Sequence, residues 1–145
     1  MAVKSVDIVG FGPTVTNFKA KAWTRSRVVW AINNSHAAND FLTDRIIAMD
    51  DLERDIVEYP KYVEQITTAG VPVVTSTSYP HWPTTEAFPL DDAIAMIGDR
   101  RLACGVLTNS WCYTMALAIL EEFEQIALYG GEFEDYDRPS ELKKA

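Results

Sequence analysis

The chain has few of the residues that build metal centres and covalent cross-links. Its 145 residues include two cysteines and two histidines, and their spacing matches no metal-ligand motif. Cys104 and Cys112 lie in apolar surroundings, which favours reduced structural thiols in a cytoplasmic protein. The sequence therefore predicts no metal site, and it indicates no required cofactor.

Long apolar runs and an excess of positive charge are also missing. No segment approaches the roughly 18 apolar residues of a membrane-spanning helix. The first residues lead into a strand-like segment, so we expect no signal peptide. The 13 Lys and Arg against 21 Asp and Glu give a formal charge of -8. This charge disfavours nucleic acids and anionic membranes as partners.

The charge is unevenly distributed along the chain. Residues 1–48 carry a net charge of +3, and residues 49–145 carry a net charge of -11. The basic excess comes mainly from Lys19, Lys21, Arg25 and Arg27, just after the first glycine turn. Two interpretations stay open, an anionic small ligand near this turn or a solvated helix face.

Short apolar runs alternate with helical stretches, which is typical of an α/β fold with crossover helices. We expect a single Rossmann-like α/β domain over residues 1–133, with a mostly parallel sheet flanked by helices, and a charged tail over 134–145. The predicted strands are 6–9, 27–32, 45–49, 71–75 and 126–129. Helices are predicted from Pro60 to Gly70, from Leu90 to Ile97 and after Ser110, and residues 79–89 are predicted to form a loop.

In open α/β sheets, ligands bind beyond the carboxyl ends of the strands. The predicted strands place polar clusters there, at residues 10–14, 33–36, 50–51, 76–81 and 130–132. Gly10 and Gly12 either let a ligand approach the backbone closely or form a structural turn. Asn109 and Ser110, before the longest predicted helix, either contact a ligand or cap that helix.

Acid–base chemistry has three candidates, Asp50, His81 and Glu132. His36 and His81 are the only histidines, and the alternative for each is a surface residue without a catalytic role. Asp50 and Asp51 can accept hydrogen bonds from ribose hydroxyls, bind a metal together with Glu132, or merely cap the next helix. The catalytic residues therefore stay unassigned.

Three segments carry a family resemblance. Residues 8–14 (IVGFGPT) resemble the Gly-x-Gly-Pro-Ser/Thr loop of the bacterial family 42 sialyltransferases, and of related pterin-pyrophosphokinase-like and phage-encoded proteins. Residues 107–119 (LTNSWCYTMALAI), with the strand after them, are similar to the long helix and last strand of these domains. Residues 77–80 and 88–90 are similar to the phage-encoded branch, whose role is unknown.

The resemblance implies a nucleotide site and also shows departures from it. Phe11 replaces an asparagine of the first loop, Glu132 replaces an aspartate, and Gly131 replaces a bulky apolar residue. The sialyltransferases continue into a lid-like region with tyrosines and a catalytic histidine, which has no matching position here, and His81 does not take its place. The implied nucleotide-binding residues are Gly10, Gly12, Pro13, Thr14, Asn33, Asp50, Asn109 and Ser110.

We therefore expect a protein that binds a nucleotide or nucleotide derivative at the carboxyl edge of the sheet, for recognition or sequestration of the phage type. Its expected location is the cytoplasm, which for a phage protein is that of an infected bacterial host. One alternative is a minimal transferase or hydrolase, in which Lys19 or Arg25 offsets the charge of a phosphate. If this enzyme is a transferase, we expect it to depend on a nucleotide sugar. The other is a structural assembly subunit with a vestigial pocket, anchored by Trp23, Trp82 or Trp111. A shallow site would be completed by a homo-oligomer.

Overall fold

The computed structural model describes residues 3–20 and 28–132. In these ranges the chain forms six strands and seven helices. The strands are β1 (Ser5–Val9), β2 (Val28–Ile32), β3 (Arg45–Ile47), β4 (Val73–Thr75), β5 (Thr85–Ala87) and β6 (Gln125–Tyr129). The helices are α1 (Val15–Ala20), α2 (Ser35–Asn39), α3 (Leu52–Glu58), α4 (Pro60–Thr67), α5 (Leu90–Ile97), α6 (Arg100–Val106) and α7 (Ser110–Leu120).

The six strands form one sheet in the order β5-β4-β3-β2-β1-β6, and every neighbouring pair is parallel. The prediction of a single Rossmann-like α/β domain is confirmed. Strands β1 to β5 lie side by side in chain order, and β6 pairs with the opposite edge of β1. The order reverses between β1 and β6, and such a reversal leaves a crevice at the carboxyl edge.

Side chains alternate along each strand, and strands β1 to β4 are largely buried, whereas the edge strand β6 is only partly buried. Val6 and Ile8 of β1 face α5, α6 and α7, together with Trp30 of β2. Val9 faces α1, where it packs with Phe18. Burial of a side chain of this size stabilises the fold by about 1.5–3 kcal/mol, so the two layers fix where each strand ends.

Three parts of the fold differ from the sequence-based expectation. Ser35–Asn39 form the short helix α2, which was not predicted. Residues 79–89 are not wholly a loop, because Thr85–Ala87 form β5 and pair with β4. Residues 100–106 form α6, which was not predicted, and Asp99 caps it by accepting a hydrogen bond from Leu102 N at 2.8 Å. The tail predicted at 134–145 lies outside the described residues.

Candidate functional site

The glycine turn after β1 is built against the end of β6. The N–H of Gly12 donates to Gly130 O at 2.9 Å. A Cβ at Gly12 would lie 2.7 Å from Glu132 Oε1, and a Cβ at Gly10 would lie 2.5 Å from the ring of Trp111. Contacts within the chain therefore require both glycines, which supports the structural interpretation of this turn.

Thr14 and Glu132 join the two loops on either side of the sheet reversal. Glu132 Oε1 accepts hydrogen bonds from Thr14 N at 2.6 Å and from Thr14 Oγ1 at 2.8 Å. The hydroxyl of Thr14 in turn accepts from Gly130 N at 2.7 Å. The two hydrogen bonds from Thr14 to Glu132 lower the pKa of the Glu132 carboxyl, and the bond from the Thr14 backbone has the larger effect. Pro13, next to Thr14, is exposed, and its carbonyl accepts from Thr16 N at 3.2 Å.

The N-terminus of α7 lies against the same turn. Asn109 Oδ1 accepts from Cys112 N at 3.1 Å, so Asn109 caps the helix, and Ser110 is its half-buried first residue. Trp111 lies against the turn, since its ring approaches both Gly10 and a Cβ built at Gly131. The structure thus brings Asn109 and Ser110 to the edge where the glycine turn lies.

A cavity of about 370 Å³ opens beyond the carboxyl ends of β2 and β3. It unites Asn33 and Asp50, two of the residues that the sequence proposed for a ligand. Asn34 belongs to the polar cluster 33–36 that was expected at this edge, and the other three lining residues were not singled out in the sequence. The six are Asn33, Asn34, Asp50, Asp55, Tyr59 and Tyr62.

Asn33 lines this cavity and carries an acceptor without a partner among the described residues. Its backbone has a positive φ of 53°, a conformation that asparagine tolerates better than most residues, and its N–H donates to Ile47 O at 2.9 Å. Its side-chain Oδ1 is buried and has no hydrogen-bond partner in the described parts of the chain. A buried polar atom without a partner costs free energy, so a ligand that donates to Oδ1 would recover it.

The opposite side of the cavity is acidic. Tyr62 Oη donates to Asp50 Oδ2 at 2.8 Å, and burial together with the negative charge of Asp50 raises the pKa of the Tyr62 phenol. Burial also raises the pKa of the Asp55 carboxyl, and the charge of Asp50 adds to this effect. Asp51, by contrast, points its carboxylate at the backbone of α3 and caps that helix.

His81 lies near the amino edge of the sheet, away from this cavity. β4 and β5 are parallel, so the loop that joins them runs back along the sheet before β5 begins. The N–H of Val73 donates to Thr84 O at 2.9 Å, which places the end of the loop beside the start of β4. His81 is exposed and stacks on Trp82 with 4.2 Å between the ring centroids. The expectation that residues 76–81 all reach the carboxyl edge was therefore wrong for His81.

The other histidine is half-buried in α2. Burial lowers the pKa of the His36 imidazole, and a hydrogen bond to the backbone of Gln65 acts in the opposite direction. His36 is not among the six residues of the cavity. Of the predicted basic cluster, Lys19 donates to Asn39 O at 2.8 Å, and the other three members lie outside the described residues.

Three further features bear on the choice of site. A second cavity of about 260 Å³ lies between α5, α6 and α7, and it is lined mostly by apolar residues such as Ile94 and Leu107. Over residues 3–20 and 28–132, no group of three His, Cys, Asp or Glu side chains could hold a metal ion. No helix in the same ranges is long and apolar enough to cross a membrane.

Comparison with known proteins identifies the fold. No family model matches the chain, and no curated protein matches its sequence. The sialyltransferase CstII from Campylobacter jejuni, solved in complex with the substrate analogue cytidine-5'-monophosphate, matches with a TM-score of 0.60 and 17% identity, over 98% of this chain and 75% of that chain. The chain has a sialyltransferase-like Rossmann-type fold. An α-2,3-sialyltransferase from the same organism, in apo form, matches with a TM-score of 0.59 and 16% identity, over 97% of this chain and 64% of that one.

The sequence analysis missed Asp55, Tyr59 and Tyr62. Their spacing of four and three residues would have revealed them, because residues so spaced share one side of a helix. Pro60 obscured this pattern, since it ends α3 at Tyr59 and begins α4. The two helices nevertheless place all three side chains around the cavity beside Asp50.

Proposed function

We propose that the chain binds a nucleotide or a nucleotide derivative at the carboxyl edge of the sheet, with the nucleoside part in the cavity of about 370 Å³. The observation that carries the proposal is that Asn33, whose buried Oδ1 has no hydrogen-bond partner in the described residues, lines the same cavity as Asp50. Ribose hydroxyls and the amino groups of bases are donors that suit these two acceptors.

The size and rim of the cavity agree with this ligand. Pockets for small molecules usually measure about 300–1,000 Å³. Tyr59 lines the cavity and is 60% exposed, so its ring is available to stack on a base. The likeness of fold to a sialyltransferase solved with cytidine-5'-monophosphate supports a ligand of the same chemical class.

Recognition or sequestration of this ligand, as in a phage protein acting in the cytoplasm of its host, is the role we favour. The nearby carboxylates Asp50 and Asp55 support a second candidate, a small transferase or hydrolase. Asp55 has a raised pKa, which suits a general acid better than an ordinary aspartate does. In that enzyme the protonated Asp55 would donate to the leaving group.

A thermal-shift screen of nucleosides, nucleotides and nucleotide sugars tests the proposal. A ligand at 100 times its dissociation constant adds about 2.7 kcal/mol to the free energy of unfolding. We expect a shift that Asp50→Asn reduces and the neighbouring Asp51→Asn leaves intact, because Asp51 caps α3 and does not line the cavity. The absence of a shift with every compound would contradict the proposal and favour a structural subunit.

Analysis of the incubated ligand separates binding from catalysis. Recovery of the unchanged ligand supports a recognition protein. Turnover that Asp55→Asn abolishes, while binding persists, would establish the enzyme instead. We expect His81→Ala to preserve either property, because His81 is exposed and is not among the residues that line the cavity.

A further inference from the structure

The charges around the candidate site indicate which part of a nucleotide it selects, an inference that rests on the proposed function. In Rossmann-like sites, a phosphate commonly lies against the turn after β1. Here the carboxylate of Glu132 occupies that turn. Its two oxygens contact Thr14 Oγ1 at 2.8 Å each, and Oε1 also accepts from Thr14 N at 2.6 Å. The chain thus supplies its own anion to the donors that would bind a phosphate.

The cavity of about 370 Å³ is also acidic, so it favours positive or neutral groups. Its six lining residues include the carboxyl groups of Asp50 and Asp55 and neither lysine nor arginine. Arg54 pairs with Asp55, its Nε lying 3.9 Å from Asp55 Oδ1, but the side chain of Arg54 is 71% exposed. A solvated charge of this kind is strongly screened and offsets little of the acidic field.

We infer that, among the ligands of the proposed function, the site prefers nucleosides and nucleotide derivatives whose 5′ substituent is neutral or positively charged and binds nucleoside 5′-monophosphates more weakly. Asn33 Oδ1 and the Asp50 carboxylate accept hydrogen bonds from ribose or base, whereas a phosphate meets the carboxylates of Asp50 and Asp55 or must displace Glu132 from Thr14. Like charges across a partly buried site repel more strongly than they do in water. The chain therefore shares its fold with the similar structure but prefers a ligand without the negative charge of cytidine-5'-monophosphate, the analogue bound there.

Calorimetric titration of the purified chain compares each of cytidine, uridine, adenosine and guanosine with its 5′-monophosphate. For whichever nucleoside binds, we expect an affinity at least about tenfold higher than that of its monophosphate, equivalent to about 1.4 kcal/mol. Raising the salt concentration should narrow the difference, because ions screen the repulsion. A monophosphate that binds as well as or better than its nucleoside overturns the inference but supports the proposed function. Failure of both ligand classes overturns the proposed function itself.

Two variants locate the source of the selectivity. Glu132→Gln keeps an oxygen acceptor for Thr14 but removes the charge, and Asp55→Asn removes a charge from the cavity. Each should raise the affinity for the monophosphate more than that for the nucleoside. Glu64→Gln, on the exposed side of α4, changes the net charge by the same amount and should leave the ratio of the two affinities unchanged. An equal gain in affinity for the monophosphate in all three variants would attribute the effect to net charge and overturn the inference.

Discussion

The hydroxyl of Tyr62 donates a 2.8 Å hydrogen bond to Oδ2 of Asp50, and this bond joins α4 to the loop after β3. The two residues come from separate elements, yet both line the candidate cavity. The bond therefore holds one side of the cavity in place before any ligand arrives. Such preorganisation reduces the free-energy cost of binding.

Removal of this bond should weaken the fold measurably. We expect Tyr62→Phe to lower the free energy of unfolding by about 1–2 kcal/mol, because the Asp50 carboxylate loses a partner in a partly buried place. Denaturant unfolding of the two proteins measures the difference. Tyr59→Phe is the matched control, since Tyr59 is 60% exposed and should tolerate the change. An equal loss in both variants would show that the bond does not stabilise the cavity.

Asp55 should make the fold more stable at acidic than at neutral pH. Its pKa is raised in the folded state, chiefly by burial, so the folded chain binds the proton more tightly than the unfolded chain does. This contribution is complete below the unfolded pKa and is lost as the pH rises through the folded pKa. Asp55→Asn should therefore gain stability relative to the wild type as the pH rises through this window. Unfolding curves over acidic to neutral pH test this, and an unchanged difference would contradict it.

Glu132 should act in the opposite direction, since hydrogen bonds from Thr14 lower its pKa in the folded chain. Its contribution is present above the unfolded pKa and is lost as the pH falls through the folded pKa. Glu132→Gln should thus reduce stability at neutral pH and matter progressively less at low pH. Paired unfolding curves of the variant and the wild type would reveal it. A deficit that persists unchanged at low pH would show that the charge is unimportant.

Alanine substitutions at three glycines separate the stability cost of close packing from the cost of a positive φ. Gly130 has a φ of 78°, and a Cβ there would lie 2.7 Å from Val15 and 2.9 Å from backbone atoms of the glycine turn, whereas Gly70 has the same φ with open space around it. We expect Gly130→Ala to cost about 3 kcal/mol and Gly70→Ala about 1 kcal/mol. Gly105→Ala, in the open on α6, should instead stabilise by about 0.5–1 kcal/mol. Equal losses at Gly130 and Gly70 would contradict the close packing of the turn.

The sequence predicts the elements whose patterns are strong and misses those that depend on distant partners. The apolar run at β1 and the mostly apolar face of α7 identify the layers of the fold. β5 has only three residues and no apolar alternation, so its pairing with β4 determines it. The unpredicted α6 likewise begins at a single cap, Asp99, with no wide apolar stripe.

The site was predictable as a place but not as a set of contacts. Strand ends identify Asn33 and Asp50, because the carboxyl ends of parallel strands meet at one edge. The roles of Thr14 and Glu132 depend on a bond between residues 118 positions apart, which no local pattern reveals. His81 was placed at the wrong edge because the direction of the chain after β4 follows from the parallel pairing of β5.

The most direct test is a nuclear magnetic resonance titration of the isotope-labelled chain with the nucleoside that binds best. We expect the largest shifts on amides of residues 33–34 and 50–62, together with a shift of the Asn33 side-chain amide. Asn33→Gly, which keeps the positive φ but removes Oδ1, should weaken the binding. Shifts centred on the apolar cavity between α5, α6 and α7, around Leu107 and Tyr113, would contradict binding at the cavity of Asn33 and Asp50.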